Sequence, residues 1–314
     1  MSVRVIDGGL STALEEAGHR FDGKLWTAYL LLDDPDAIVA AHLAFLRAGA
    51  RLLVTSSYQA SVEGFVAAGI TRAEAVVLLQ RTTALAVEAR RQLADEDPAG
   101  AADVLIAASV GPYGATLADG SEYRPVAIDD AALVRFHAPR LRLLVETRPD
   151  LLAIETIASG REARAILTAL DGLPAIPAWV TFTCRDAETT WGGDPIEEAV
   201  GAVAGRPSVV AVGVNCTAPA DVSPLLARIG RVTNLPLVAY PNGGQGWNAT
   251  EKAWDGPAHG FSPAEVATWI ELGARYVGGC CGTGPETIAM LTARGLPPAG
   301  RHGTRGRADR GSRP

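Results

Sequence analysis

The 314-residue chain is short of several things that would point to other kinds of protein. No apolar run approaches the roughly 20 residues of a membrane span. The opening, MSVRVIDGG, meets a strand and an acid too early for a signal peptide. A cytoplasmic protein with no membrane partner is expected. Four cysteines, Cys184, Cys216, Cys280 and Cys281, are too few for a disulfide scaffold. In a reducing compartment they suggest metal binding or catalysis. Lysine is nearly absent, at Lys24 and Lys252 only, a bias with no mechanistic content. Positive charge is scarce outside the tail: residues 301–314 hold five Arg and one Asp, so a chain of net charge −7 has a body of −11. That body does not suit nucleic acid, which needs clustered basic residues. The five histidines make no H-x-H or H-E-x-x-H pattern, and no C-x2-C knuckle, G-x-S-x-G elbow or Walker loop is present. A His/Asp zinc hydrolase and a zinc-finger-like site therefore lack their ligands.

What the chain has is apolar material, 48% hydrophobic against 20% charged, in a repeating order. Eight short apolar runs begin near Val3, Leu52, Val104, Leu151, Ala178, Val209, Pro236 and Tyr276, each followed by a segment of helical periodicity. Several are continuously apolar, as expected of strands buried on both faces of a parallel sheet. Thr71…Glu74, Ser159…Glu162, Ser262…Glu265 and Thr283…Glu286 have the form of capping boxes, and Gly49 and Gly273 stand where helices should stop. Eight alternating units without a composition break predict an α/β protein, a single (β/α)8 TIM barrel over residues 1–296. A doubly wound open sheet is the alternative. Residues 297–314 read as a basic, disordered tail. The oligomeric state is not legible.

In such a barrel the carboxyl ends of the strands share one face, where active sites sit. The apolar runs end in Asp7-Gly8-Gly9, Thr55-Ser56-Ser57-Tyr58, Ser109 to Gly114, Glu155-Thr156, Thr181 to Thr183, Asn215-Cys216, Tyr240-Pro241-Asn242 and Cys280-Cys281. Three thiols at two strand ends are expected to meet and hold a zinc ion with one position open. The bland alternative is a pair of small buried residues filling a strand-to-helix turn. Cys184 reads as packing. Asp7-Gly8-Gly9 is either a simple turn or a place where backbone amides approach an anion and Asp7 meets an ammonium. Glu155, an acid at the end of a buried strand, needs a partner, either an internal Arg or a substrate ammonium. Trp26, Tyr58 and Tyr113 are packing residues or aromatic faces for a cation. His42 and His137 fall in helices outside the barrel, as surface or packing residues.

These residues together resemble the zinc-dependent homocysteine S-methyltransferases, and most of all the branch that uses S-methylmethionine. The likeness runs from Val5 to Ala293. It rests on DGG at 7–9, Leu25-Trp26, TSSYQAS at 55–61, SVGPYGATLADGSEYR at 109–124, Glu155-Thr156, GVNC at 213–216, YPN at 240–242 and GGCC at 278–281. The resemblance implies Zn2+ on Cys216, Cys280 and Cys281. It implies homocysteine held by Asp7, the Gly8 and Gly9 amides and Glu155, with Asn215 orienting the site and Trp26 and Tyr58 flanking the methyl donor. Two departures stand out. Where that branch has YPNSGE, this chain has Tyr240-Pro241-Asn242-Gly243-Gly244-Gln245, without the hydroxyl and carboxylate that could meet a cationic donor. The link into the fourth run is Arg148-Pro149-Asp150 instead of a Gly-Ala-Asp turn.

The implied partners are small molecules, homocysteine and a methyl donor, and the implied reaction moves a methyl group from a sulfonium to the homocysteine sulfur to give methionine. Betaine, S-adenosylmethionine or selenohomocysteine could replace one substrate. Two rivals belong to other classes: a non-catalytic zinc-dependent thiol sensor, and a dithiol redox protein using Cys280 and Cys281. A sensor binds homocysteine and releases no methionine. A redox protein works without metal through a reversible Cys280–Cys281 bond.

Overall fold

The computed structural model describes residues 2–20, 29–117, 120–124, 127–244, 246–248, 253–255 and 260–293. Trp26, Gln245 and the basic tail lie outside them, so what was expected of these residues has no structural counterpart here. Each of the eight apolar runs becomes a strand: β1 (Arg4–Val5), β2 (Leu52–Val54), β3 (Leu105–Val110), β4 (Leu151–Ile157), β5 (Ala178–Phe182), β6 (Val209–Asn215), β7 (Leu237–Tyr240) and β8 (Ala274–Val277). All neighbouring strands are parallel, in the order β1-β8-β7-β6-β5-β4-β3-β2. The ring closes between β1 and β2 through the parallel bridge Ile6–Leu52, where Asp7 N–H donates to the Leu52 carbonyl at 3.0 Å. The fold is the expected single (β/α)8 barrel, and the open-sheet alternative is set aside by that closure.

Two apolar clusters follow from the two faces of the strands. The larger lies between the sheet and the surrounding helices. The smaller, Ile6, Leu52, Ala107, Leu151, Ala153, Trp179, Ala211, Val238 and Tyr240, with Tyr276 packed against it, draws on β2 to β8, on Ile6 just past β1 and on no helix, so it fills the barrel interior. Trp179 leans on both Tyr240 and Tyr276, with ring centroids 5.9 and 5.7 Å apart. Alanines from β3, β4 and β6 make room for these rings, as large and small side chains must alternate in a filled barrel. Cys280 packs on top of this plug.

The helix signals are mostly honoured. Thr71 and Ser262 form reciprocal capping boxes with Glu74 and Glu265. Gly49 and Gly273 take φ +100° and +114° at helix ends, a region that penalises a Cβ. Two signals differ. Ser159 accepts from Glu162 N–H, but the Glu162 carboxylate turns away to accept from Tyr113 N–H at 2.6 Å and to meet His137 Nε2 at 3.1 Å. The helix expected after Thr283 starts at Pro285, because Thr283 is bound into the strand-end turn through Gly9 and Cys280. A short antiparallel hairpin, Gly246–Asn248 with Ala253–Asp255, follows β7 and was not anticipated. Among the described residues no helix is long and apolar enough to cross a membrane.

Candidate active site

Cys280 and Cys281 reach the mouth because the end of β8 is squeezed between its neighbours. Gly278 N–H donates to the Ala239 carbonyl, Gly279 N–H to the Asp7 carbonyl and Cys280 N–H to the Pro241 carbonyl. A Cβ on Gly279 would collide with the Thr283 side chain, so only glycine permits this approach. From β6, Cys216 arrives with φ +48°, anchored by its N–H to the Tyr240 carbonyl at 3.2 Å and by Thr183 Oγ1 donating to its carbonyl at 3.0 Å. The three sulfurs lie within 4.8 Å of one another, and Cys216 Sγ is 3.7 Å from Cys281 Sγ.

That spacing is a test of the metal reading. Sulfurs bound at about 2.3 Å to one tetrahedral centre lie about 3.8 Å apart. The Cys216–Cys281 pair stands at that spacing and all three sulfurs lie close enough to converge on one centre, and three thiolates suit a soft divalent ion with one position left for a ligand. Hydrogen bonds from Cys280 and Cys281 hold the Cys216 thiol below its ordinary range. Asn215, buried beside its neighbour, aims Nδ2 at Cys280 Sγ at 3.9 Å. Cys184 is buried in the helix-facing core and is not part of the cluster; burial pushes its thiol up.

Glu155 sits where β4 breaks register with β5, between Ile154 and Ile157. The irregularity puts Thr156 at φ +58°, unusual for a β-branched residue. Asn215 holds it there: Oδ1 accepts from Thr156 N–H at 2.7 Å and from Thr181 Oγ1 at 2.8 Å, while Nδ2 donates to Thr156 Oγ1 at 2.8 Å. Strain of this kind is held in place where a site needs it. The Glu155 carboxylate accepts from Tyr240 OH at 2.9 Å and from the Ser109 hydroxyl. Asp7 Oδ2 accepts from Val54 N–H at 2.9 Å. Neither acid forms an ion pair among the described residues. Burial raises Glu155 to about 7 despite its two hydroxyl donors, and burial together with the Glu155 charge raises Asp7 well above the carboxylate range.

Of the two partners considered for Glu155, the internal Arg is thus not realised. Arg140, whose charge acts on Glu155 without an ion pair, is buried in helix Asp130–Glu146 and gives its guanidinium to three carbonyls: Gly111 at 3.1 Å, Ser57 at 2.6 Å and Tyr58 at 2.6 Å. It ties the loops after β2 and β3 together. Burial lowers Arg140 to about 10, which leaves it charged. Nothing in its immediate sequence neighbourhood announces this role. Its only signal lies at helical spacing, an Arg on the apolar stripe Leu133, His137, Arg140, Leu141, Leu144, all buried.

One cavity of about 170 Å³ joins these parts, suited to ligands of amino-acid size. Its walls include Asp7, Gly8, Gly9, Tyr58, Glu155 and all three cluster cysteines. Asn215 stands behind the wall as a support. Tyr113 does not line the cavity; its ring packs edge-on against Phe136 at 4.9 Å. The Gly9 amide already donates to the Thr283 carbonyl at 2.9 Å. His42 and His137 are both fully buried packing residues, and His42, with neither ring nitrogen partnered, is lowered to about 4 and stays neutral. Glu122 and Tyr123, to which the sequence alone gives no role, also line the cavity.

A closed α/β barrel with three converging thiols and two buried acids puts a candidate metal centre on the face where barrel enzymes carry their active sites. The chain belongs to the homocysteine S-methyltransferase family, whose family model matches residues 4–294. A homocysteine S-methyltransferase of Escherichia coli is 41% identical over 297 residues, covering 93% of this chain and 95% of the relative. The homocysteine S-methyltransferase YbgG of Bacillus subtilis is 38% identical over 293 residues, covering 92% and 93%. Among solved structures, the metallated form of the E. coli homocysteine methyltransferase MmuM superposes with a TM-score of 0.84 at 39% identity, covering 94% of this chain and 96% of that one. The protein is a methyltransferase.

Proposed function

We propose that this protein transfers a methyl group from S-methylmethionine to homocysteine, with zinc held by Cys216, Cys280 and Cys281. The observation that carries the reading is the convergence of three sulfurs from two strand ends at a spacing fit for one ion, 3.7 Å between Cys216 and Cys281. When bound, zinc on these thiolates supplies an open position at which an incoming thiol gives up its proton at neutral pH.

The chain's own residues supply the rest. Asp7 and Glu155 hold the homocysteine ammonium, and that cation is the partner two buried acids without an ion pair call for. Ser109 and Tyr240 fix the direction of the Glu155 carboxylate. The Gly8 amide is left to meet the carboxylate of the substrate, since the Gly9 amide is committed to Thr283. Asn215 keeps Cys280 and Thr156 in place. Tyr58 lines the cavity and is assigned to flank the donor. In the transfer, the donor S–CH3 bond breaks with its electron pair staying on the donor sulfur, while a new S–CH3 bond forms at homocysteine. Two methionines result. The donor's positive charge is cancelled in that step, which a site poor in water favours. No general base is needed once the thiol proton has left, in keeping with a cavity wall built without histidine among the described residues.

The deciding experiment is methionine release from homocysteine with S-methylmethionine, S-adenosylmethionine and betaine offered separately, on protein of measured zinc content. S-methylmethionine should give the highest turnover. Cys281→Ala should lose zinc and reduce turnover by about a thousandfold or more. A fully active, metal-free Cys281→Ala protein would overturn the proposal, and homocysteine binding without methionine from any donor would favour a sensor.

A further inference from the structure

The thiol cluster has acid on two sides, and only one side is accounted for by homocysteine. Asp7 and Glu155 come from the ends of β1 and β4. Glu122 and Tyr123 come from the loop after β3, in the single turn Ser121–Tyr123, and both line the same cavity. Tyr123 OH stands 3.5 Å from Cys216 Sγ. Its ring faces that of Trp191, with centroids 5.7 Å apart and planes inclined at 57°. Trp191 is anchored at the carboxyl end of β5 by its N–H to the Thr183 carbonyl at 3.1 Å, yet is 41% exposed. Trp191 does not itself line the cavity; it backs the Tyr123 ring, which does.

The turn that carries this group is a built element. Gly120 reverses the chain at φ +82°, and Gly114 lies directly beneath the turn. A Cβ on Gly114 would strike the Ser121 carbonyl and come within 2.7 Å of Glu122 N. Among the described residues no Lys or Arg lines the cavity. The mouth therefore offers carboxylates and aromatic faces, and those are the groups that recognise a fixed cation carrying no hydrogen-bond donor at its centre.

We propose that Glu122 and Tyr123, with Trp191 positioning the Tyr123 ring from behind, form the seat of the methyl donor and select an amino-acid sulfonium, with the Tyr123 ring facing the sulfonium and Glu122 meeting its ammonium. This rests on the methyl-transfer reading above and adds to it the residues that choose the donor. It also supplies, from the loop after β3, a carboxylate for the donor that the Gly243-Gly244-Gln245 stretch does not provide.

The test uses the full chain loaded with zinc. Trp191→Ala and Glu122→Gln should each raise the KM for S-methylmethionine by about tenfold, leave the KM for homocysteine and the zinc content unchanged, and in the case of Trp191→Phe recover most of the loss. A rise in the homocysteine KM with the donor KM unmoved would overturn the assignment. Calorimetric titration with S-methylmethionine separates failure of the seat from failure of the reaction. Binding to the native protein that is lost in the Trp191→Ala/Glu122→Gln double variant supports the seat, even if no methionine forms. Equal binding by both proteins, or none by either, overturns it.

Discussion

The two ends of the barrel treat charge in opposite ways. At the amino ends of the strands, acids are paired and partly open to water: Arg4 with Asp103 at 3.0 Å, Arg51 with Asp97 at 3.3 Å, Arg90 with Asp150 at 3.8 Å. Asp150 also accepts from Ile106 N–H at 2.8 Å and so fixes the entry to β4. Each such pair contributes little, about 0–1 kcal/mol, and none of it costs much desolvation. At the carboxyl ends Asp7 and Glu155 are buried without an ion-pair partner among the described residues, the thiols are crowded, and Thr156 and Cys216 sit in left-handed backbone. One end is built to be quiet. The other buries acids and crowds thiols at a cost in desolvation and strain, the usual mark of a reacting site.

Breaking the wall between the two regimes should have the largest effect on the fold. Arg140 is a cation beside the mouth whose donors serve carbonyls, so Arg140→Met leaves the Gly111, Ser57 and Tyr58 carbonyls without that donor. Urea unfolding should show a loss of about 3 kcal/mol, at roughly 1 kcal/mol per orphaned acceptor. A loss near zero would mean that water replaces the guanidinium and that the clamp is dispensable.

Next in size is the acid itself. Glu155→Gln should weaken homocysteine binding by about 2 kcal/mol, the worth of a charged hydrogen bond, with zinc content unchanged. Its pH behaviour follows from a folded value of about 7 set by burial, against 4.5 for the ordinary carboxyl. The free native protein holds the proton more tightly than the unfolded chain, so the stability contributed by this group is lost as pH rises from 4.5 through 7. The ligand ammonium favours the carboxylate, so homocysteine affinity should fall by up to about tenfold per pH unit below about 7. Asp7 and Arg140 face the same group electrostatically, and Asp7 leaves the Glu155→Gln protein some slope of its own. Calorimetric titration at stepped pH values reads both effects. An unchanged slope in Glu155→Gln would remove Glu155 from the ammonium site.

The smallest effect belongs to the quiet end. Arg148 occupies φ +55° in the link into β4, a conformation that costs a side chain about 1–2 kcal/mol. Arg148→Gly should raise thermal stability slightly, by about 1 kcal/mol or less once the entropy of glycine is subtracted, and should leave turnover unchanged. Any change in kinetics would show that the two ends are coupled.

Much of this was readable from one sequence because the signals are local and periodic. Continuous apolar runs of strand length, with helix caps between them, require no knowledge of distant contacts, and all eight starts fall within two residues of the observed strands. The polar residue at the end of each run follows from the same periodicity, so Asp7, Glu155, Asn215, Cys216 and the Cys280-Cys281 pair could be placed at the mouth by topology. The roles that escaped notice belong to side chains whose partners are remote. Arg140 reads as one arginine among many until the loops of β2 and β3 are folded over it. Glu162 reads as a helix cap until His137 and Tyr113 are brought alongside and take its carboxylate.

The sequence by itself determined the order of strands and helices, the burial of the runs and the kind of group that each strand delivers, since these depend on spacing along the chain. Tertiary structure alone decided that Cys216 and Cys281 stand 3.7 Å apart, that Glu155 is held by hydroxyls and by no ion pair among the described residues, and that the Gly9 amide is already taken. Those are distances between residues tens to hundreds of positions apart, and they exist only once β1 has met β2 and the ring has closed.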